Sequence, residues 1–457
     1  MSDEGLQQAR DKMEADGVDP LAIEVFAHYY RLVESGETGM VPEDTIAPVD
    51  MDAIDDVDVP DDVAADALAR TVVIKLNGGL GTSMGLDRAK SLLEVRDGLT
   101  FLDVIARQVL ALRERFDVRL PLLFMDSFRT RDDTLSALES YDGLQDRDLP
   151  LDFLQNKEPK LLSEDLTPAS WPDDPSLEWC PPGHGDLYTV LRAQGLIDAM
   201  LDAGFSQVFV SNSDNLGAVP DPRVAGWFAS SGAPFAIEAV RRTPSDRKGG
   251  HFARRKSDGR IVLRESAQTL DEDKEALADL DRHRYCSTNN LWFDLRAMRD
   301  ELDARDGILG LAMIRNTKNI DPSDPDTPAV VQIETAMGAA IEVFDGATTI
   351  EVGRNRFVPV KTTDDLLVLR SDCYDLDDEA VLHQVPERIP FVELGSAYKL
   401  VGRFDERFPD GVPSLKEASR FVVRGDWTFG AGVVVTGEVE LEDTGRPETV
   451  EPGTRLD

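Results

Sequence analysis

From Thr71 onward the chain alternates short apolar, β-branched runs with stretches of helical spacing, and this alternation limits the possible folds more than any other feature. "TVVIKL" precedes a helical pattern near residues 101–114, "LPLLFM" precedes one near 130–140, and "QVFVSN" follows one near 187–203. Strands that read as continuous apolar runs are covered on both faces, and intervening helices supply the cover. The pattern predicts βαβ units in a Rossmann-like α/β domain over residues 71–380, with a mixed, mostly parallel sheet and helices on both faces. Residues 1–70 read as an acidic helical N-terminal segment. Leu21, Val25, Tyr29 and Leu32 keep helical spacing there, and a proline- and acid-rich connector follows to about Pro60.

Beyond residue 380 the period changes. Phe421, Trp427, Val433 and Val439 recur every six residues, as do Val423, Phe429, Val435 and Leu441, with Gly425 and Gly437 near the corners. A six-residue apolar recurrence is the mark of a small parallel β-helix over residues 381–457; an antiparallel meander is the competing reading.

Composition excludes several functions. The formal net charge of −38 repels phosphate backbones and leaves no basic stripe, which argues against nucleic-acid binding. Residues 1–70 alone hold 19 acidic against 4 basic residues, a solvated surface suited to solubility or high salt. No apolar run reaches bilayer length, and "MSDEGLQQAR" lacks the features of a secretory leader, so a cytoplasmic, membrane-free setting is expected. Cys180, Cys286 and Cys373 form no CxxC pair and read as reduced, packed thiols. An anionic substrate therefore requires local compensation by lysines, backbone amides or a metal.

The stretch "KLNGGLGTSMG", Lys75 to Gly85, holds four glycines directly after an apolar strand. Glycine admits backbone conformations closed to other residues and brings amide N–H groups against a ligand without a Cβ in the way. A strand, such a loop and a helix N-terminus together make an anion cradle, to which Lys90 can fold back with its charge. The spacing is neither a Walker loop nor a good GxGxxG fingerprint. "PPGHGD" holds His184 between glycines in a rigid turn. "VFVSNSDN" ends an apolar strand in four polar residues at the edge where open α/β sheets bind ligands. There Asp214 suits Mg²⁺, which takes one or two carboxylates plus phosphate oxygens, although an Asx turn would also explain it. Lys361 in "VPVKTTDD" follows an apolar run; an ordinary exposed lysine is its bland alternative.

Ten blocks in order, from "LNGGLGTSMG" and "KSLLEVRDGLTFLD" through "LLFMDSFRT", "FLQNKEPKL", "PPGHGDLY", "VFVSNSDNLGA", "RKGGHF", "STNNLWFDL" and "IETAMGAAIEVF" to "RFVPVKTTDDLL", resemble the eukaryotic-type UTP:glucose-1-phosphate uridylyltransferases, the UDP-glucose pyrophosphorylases. The resemblance covers about residues 71–375. It implies a glycosyltransferase-like nucleotidyltransferase domain followed by a left-handed β-helix. It implies uridylyl transfer from UTP to glucose 1-phosphate, giving UDP-glucose and pyrophosphate, with Mg²⁺. Nucleotide contacts are implied for Leu76, Asn77, Gly78, Gly79, Gly81, Thr82, Gln155 and Gly183. Contacts to the sugar and its phosphate are implied for His184, Asn212, Gly250, Glu265, Thr288 and Asn290, although Glu265 also reads as a surface strand charge. Lys90, Lys361 and Asp214 are the implied catalytic groups, Asp214 with the metal. The family commonly has Gly-Pro-Lys where this chain has Arg88, Ala89 and Lys90, so a fixed φ is lost before the lysine.

Two other functions stay open at this stage. One is a UDP-N-acetylhexosamine pyrophosphorylase of the same fold, whose members usually carry arginine where this chain has Ser83. The other is a nucleotide-binding regulator without transfer. Family members differ in whether the β-helix mediates assembly; the acidic end "EVELEDTGRPETVEPGTRLD" argues against large assemblies.

Overall fold

The computed structural model describes residues 2–322 and 324–457. In chain order the main sheet takes first β1 (Thr71–Leu76), β2 (Leu122–Asp126), β3 (Asp152–Leu154), β4 (Gln207–Asn212) and β5 (Phe235–Arg241). An antiparallel hairpin of β6 (His251–Arg255) and β7 (Ile261–Arg264) follows, then β8 (Tyr285–Asp294). A second antiparallel hairpin joins β9 (Met313–Asn319) to β10 (Ala329–Thr335), and β11 (Thr348–Glu351) comes after it. Seven of these strands make one sheet in the order β11-β5-β8-β4-β1-β2-β3. Ten-residue β8 runs antiparallel to both β4 and β5, whereas β5 and β11 are parallel, so the sheet is mixed. The apolar runs predicted as strands β1, β2 and β4 are buried almost throughout, as continuous cover on both faces requires.

Contacts group the chain into two compact units, each built from three segments. The first comprises residues up to Ile74, Arg147–Val210 and Asp221–Val352; the second comprises Lys75–Asp146, Ser211–Pro220 and Gly353–Asp457.

Within the first unit, the helix expected across residues 7–36 is two: α1 (Ser2–Ala15) and α2 (Pro20–Glu34). Gly17 at φ +75° breaks the first, and Asp19 restarts the second by accepting from Leu21 N, with Pro20 in the first turn. Both pack on the β9/β10 hairpin: Met13, Phe26, Tyr29 and Tyr30 share a core with Leu161, Met313, Val331 and Ile333. The N-terminal segment is thus a layer of this unit. Burying each large apolar side chain contributes about 1.5–3 kcal/mol, and a detached appendage would leave that surface in water. The helical pattern near 187–203 also resolves into two, α3 (Asp186–Ala193) and α4 (Leu196–Asp202), parted by Gly195 at φ +67°.

In the second unit the helix Phe101–Phe116 begins at a capping box in which Thr100 and Asp103 satisfy each other's backbone N–H. Toward the C-terminus lie β12 (Phe391–Leu394), β13 (Ser414–Val423), β14 (Trp427–Phe429), β15 (Val434–Leu441), β16 (Glu448–Val450) and β17 (Arg455–Leu456). Their pairings β12/β13, β13/β15, β15/β17 and β14/β16 are all parallel, which removes the antiparallel meander. Phe421, Val423, Phe429, Val433, Val435 and Val439 are buried, Gly425 turns the chain at positive φ, and Gly437, also at positive φ, lies inside β15. All three cysteines are buried and free, and among the described residues no helix is long and apolar enough to cross a membrane.

Candidate active site

The glycine loop follows strand β1 and belongs to the second unit. Gly81 (φ +65°) and Gly85 (φ +78°) bracket a single 3-10 turn, Thr82–Met84, and no α-helix follows until Phe101. The helix N-terminus expected behind the loop is therefore absent, because two left-handed residues interrupt the chain before a helix can propagate. Backbone amides and lysines are left to supply positive charge. A Cβ on Gly79 would meet nothing within 4 Å, so its exposed backbone is open to a ligand. A Cβ on Gly81 would lie 3.2 Å from Lys90 Cγ, so the stem of Lys90 does fold back beneath the loop. Gly78 is half-buried and Thr82 exposed.

The Lys90 ammonium donates to Asp214 Oδ2 at 2.6 Å and to the Val360 carbonyl. Val360 N in turn donates to the Asp214 carbonyl at 3.1 Å. Lys361 follows at once, exposed and with no side-chain partner among the described residues. Four positions read separately from the sequence, the loop, Lys90, Asp214 and Lys361, are thus gathered by one backbone clasp. Half-buried Asn212 lies two residues before Asp214, where its carbonyl accepts from Asn215 N. Ala89 sits at φ −52°, ψ 126°, within the range proline imposes, so the missing proline does not displace Lys90.

Asn77, expected at the nucleotide, has its side-chain groups paired within the protein. Its backbone N–H goes to the Met125 carbonyl, its amide hydrogens to Asp126 Oδ1 and Thr134 Oγ1, and its Oδ1 accepts from Ser213 Oγ. No donor is left over. The residue ties strand ends together, as does Leu76, whose carbonyl accepts from Ser213 N. Beneath them, buried Lys75 donates to Ser211 Oγ and the Ala218 carbonyl, bracketing the segment that carries Asp214.

In the first unit, the "PPGHGD" turn is locked against Thr335. Gly185 N donates to the Thr335 carbonyl and Thr335 N to the Pro182 carbonyl. A Cβ on Gly183, at φ +79°, would lie 2.5 Å from the Thr335 oxygen, so glycine is obligatory there. His184 Nδ1 accepts from Met337 N at 3.0 Å. A backbone amide can only donate, so the imidazole proton sits on Nε2, which has no partner among the described residues. Burial pushes His184 down to about 4, keeping it a neutral donor at physiological pH. Two residues on, buried Asp186 accepts from Asn156 N and Nδ2, while burial lifts its carboxyl to about 6. Gln155, beside Asn156, is half-buried with its amide unengaged among the described residues.

Gly250 and Glu265 are adjoining: a Cβ on Gly250 would lie 2.7 Å from Glu265 Oε2. Thr288 and Asn290 form a second corner around Glu238, which the sequence reading did not single out. Thr288 Oγ1 donates to the Glu238 carbonyl and accepts from Asn290 N; Asn290 Nδ2 and Trp292 Nε1 donate to the two Glu238 carboxylate oxygens. Glu238 is fully buried. It was hidden because "FAIEAV" reads as an apolar strand, and a lone acid inside such a run gives no sign of which side chains it will anchor.

The model of the UTP--glucose-1-phosphate uridylyltransferase family matches residues 23–436. The chain belongs to that family. The uridylyltransferase of Solanum tuberosum is 39% identical over 407 residues, which span 88% of this chain and 81% of the relative. The enzyme so named from Saccharomyces cerevisiae is 38% identical over 376 residues, 81% of this chain and 74% of its own. Among solved structures, the UDP-glucose pyrophosphorylase of Leishmania major superposes with a TM-score of 0.93 at 42% identity, covering 99% of this chain and 98% of that one. Structures of that L. major protein include a mutant in complex with UDP-glucose. The uridylyltransferase family match spans both compact units, so the resemblance carried by ten short blocks extends to the whole architecture.

Proposed function

We propose that this chain transfers a uridylyl group from UTP to glucose 1-phosphate, releasing pyrophosphate and forming UDP-glucose, reversibly. A phosphate oxygen of glucose 1-phosphate attacks the α-phosphorus of UTP; the new P–O bond forms as the bond to the pyrophosphate leaving group breaks. No side-chain nucleophile takes part, and the barrier is lowered by positioning and charge neutralisation. Leu76, Asn77, Gly78, Gly79, Gly81 and Thr82 meet the nucleotide, the glycines with backbone against the triphosphate. Gln155 and Gly183 meet the uracil. His184 donates from Nε2 to the sugar phosphate. Asn212, Gly250 and Glu265 receive the hexose, backed by the Thr288–Asn290 corner.

The observation that carries this reading is the Lys90–Asp214–Val360 clasp with exposed Lys361 beside it, a concentration of cationic groups in a chain of net charge −38. Lys90 and Lys361 stabilise the charge that develops on the phosphates. For Mg²⁺, Asp214 fits: one carboxylate oxygen holds Lys90 and the other has no partner among the described residues, which suits an ion that takes its remaining ligands from phosphate and water. When bound, Mg²⁺ would neutralise triphosphate charge. We assign the parallel C-terminal strands to a left-handed β-helix over residues 381–457, following the catalytic domain of 71–380. A cytoplasmic setting accords with three buried free thiols.

The test is pyrophosphate release from UTP with glucose 1-phosphate and, in parallel, N-acetylglucosamine 1-phosphate. Release with glucose 1-phosphate at least tenfold faster supports the proposal. Preference for the N-acetylated sugar moves the chain to the related pyrophosphorylases, and no release with either makes it a non-catalytic nucleotide binder.

A further inference from the structure

We propose that Asp186 is a positioning residue for nucleotide choice: it holds Gln155 in place against the Gly183–His184 turn and so sets which base the site accepts. The inference rests on the transfer reaction proposed above, in which Gln155 and Gly183 meet the uracil. All the residues concerned belong to the first unit.

The two halves of the base contact are anchored unequally. The "PPGHGD" turn carries its own locks: Gly185 N donates to the Thr335 carbonyl, Thr335 N to the Pro182 carbonyl and Met337 N to His184 Nδ1. Gln155 has no such lock among the described residues. Strand β3 ends at Leu154, and the chain is next paired at Glu158, opposite Cys180. In the gap between, Asn156 directs its N–H at 2.6 Å and its Nδ2 at 2.8 Å onto the two oxygens of one buried carboxylate, Asp186. Asp186 opens α3 two residues after His184. A single side chain therefore ties the strand end to the turn.

The peptide unit is planar, so aiming Asn156 N–H at Asp186 also fixes the Gln155 carbonyl and the Cα from which the Gln155 side chain departs. Burial lifts the Asp186 carboxyl to about 6. Above that pH both oxygens accept, matched to two donors. The consequence is base choice. A glutamine amide offers a donor and an acceptor and can turn over, pairing with uracil in one sense and with cytosine in the other. What separates the two is its placement against backbone that cannot turn over, that of Gly183. A loosened Gln155 would accept either base more equally.

The experiment exchanges the two clamp side chains. Asn156→Asp sets a second carboxylate against Asp186, and adding Asp186→Asn restores a donor opposite an acceptor. Pyrophosphate release is the readout. Expected for Asn156→Asp are a KM for UTP about tenfold higher, a KM for glucose 1-phosphate within about twofold, and a UTP-over-CTP preference in kcat/KM about fivefold lower, all recovering in the double variant. A purely structural contact would lower stability without separating the two KM values. An unchanged KM for UTP in folded Asn156→Asp overturns the clamp, as do an equal rise in both KM values, an undiminished UTP preference, or a double variant no better than the single. Should Asn156→Asp fail to fold, Asn156→Ala, which removes only the Nδ2 bond, takes its place: the same split upholds the clamp and its absence overturns it. If the unaltered chain releases no pyrophosphate, the transfer reading fails by itself. Calorimetric titration of UTP and CTP into the same variants then decides the clamp, a reduced UTP preference upholding it and an undiminished one overturning it.

Discussion

The glycine loop of the second unit and the Thr288–Asn290 corner of the first spend their polar groups in opposite ways. The loop leaves Gly79 open, Lys361 unpaired among the described residues, and a carboxylate oxygen of Asp214 free to accept. The corner directs the Thr288 hydroxyl, the Asn290 amide and the Trp292 indole onto one buried acid, Glu238. Both stretches are rich in residue types that bind nucleotides and sugars, yet one keeps its groups available and the other builds a scaffold. Residue type indicates capacity; partners determine how it is used.

Breaking the comparison at its open end should have the largest effect. Lys361→Ala is expected to lower kcat by about 10²–10³, the scale of losing one preorganised charge contact, while changing stability by no more than about 0.5 kcal/mol. Steady-state pyrophosphate release and thermal unfolding on the same preparation check both halves. Gly183→Ala and Gly79→Ala sharpen it next. At Gly183 the positive φ and the 2.5 Å approach to Thr335 predict a loss above about 2 kcal/mol, whereas Gly79→Ala folds normally and raises the KM for UTP. Urea unfolding and UTP saturation curves separate the two.

Thr288→Val probes the closed end. It removes the hydroxyl bonds to the Glu238 carbonyl and from Asn290 N, so about 1–3 kcal/mol of stability should go, measured by urea unfolding, with kcat of the folded fraction changed less than tenfold. The pH response offers a finer test. Unfolded His184 takes a proton near 6.5 that the folded form refuses until about 4, so its contribution is lost as pH falls through that window. Asp186 acts oppositely: folded, it keeps a proton up to about 6 that the unfolded chain releases near 3.9, so its contribution grows as pH falls from 6 to 4. His184→Gln should flatten the acid loss and Asp186→Asn should steepen it, each on the order of 1–2 kcal/mol between pH 6.5 and 4, by denaturation at stepped pH. Smallest of all, Ala89→Pro keeps a compatible φ but removes the N–H that donates to Asp133 Oδ2 at 3.4 Å, so the two effects offset and stability should change by no more than about 0.5 kcal/mol, read from the melting temperature.

Much of this was legible in the sequence. Buried strands announced themselves as "TVVIKL" and "QVFVSN", and the six-residue recurrence of Phe421, Val433 and Val439 marked the parallel C-terminal pairing. Breaks were harder. Gly17 and Gly195 end helices only because their φ is positive, which a helical pattern running past them conceals. The Lys90–Asp214 pair joins residues 124 apart in the chain, and nothing local foretells that a Val360 carbonyl will complete it. The partners of Asn77 were equally hidden: Asp126, Thr134 and Ser213 arrive from distant segments to pair its side chain.

The second unit takes its first segment from Lys75–Asp146 and its last from Gly353–Asp457. On the ribosome, residues made early must therefore wait, partly unclosed, while more than two hundred others are synthesised. Maturation of the lysine clasp is consequently a late event in biogenesis, and a nascent chain stalled short of Val360 would carry the glycine loop without the carbonyl that anchors Lys90.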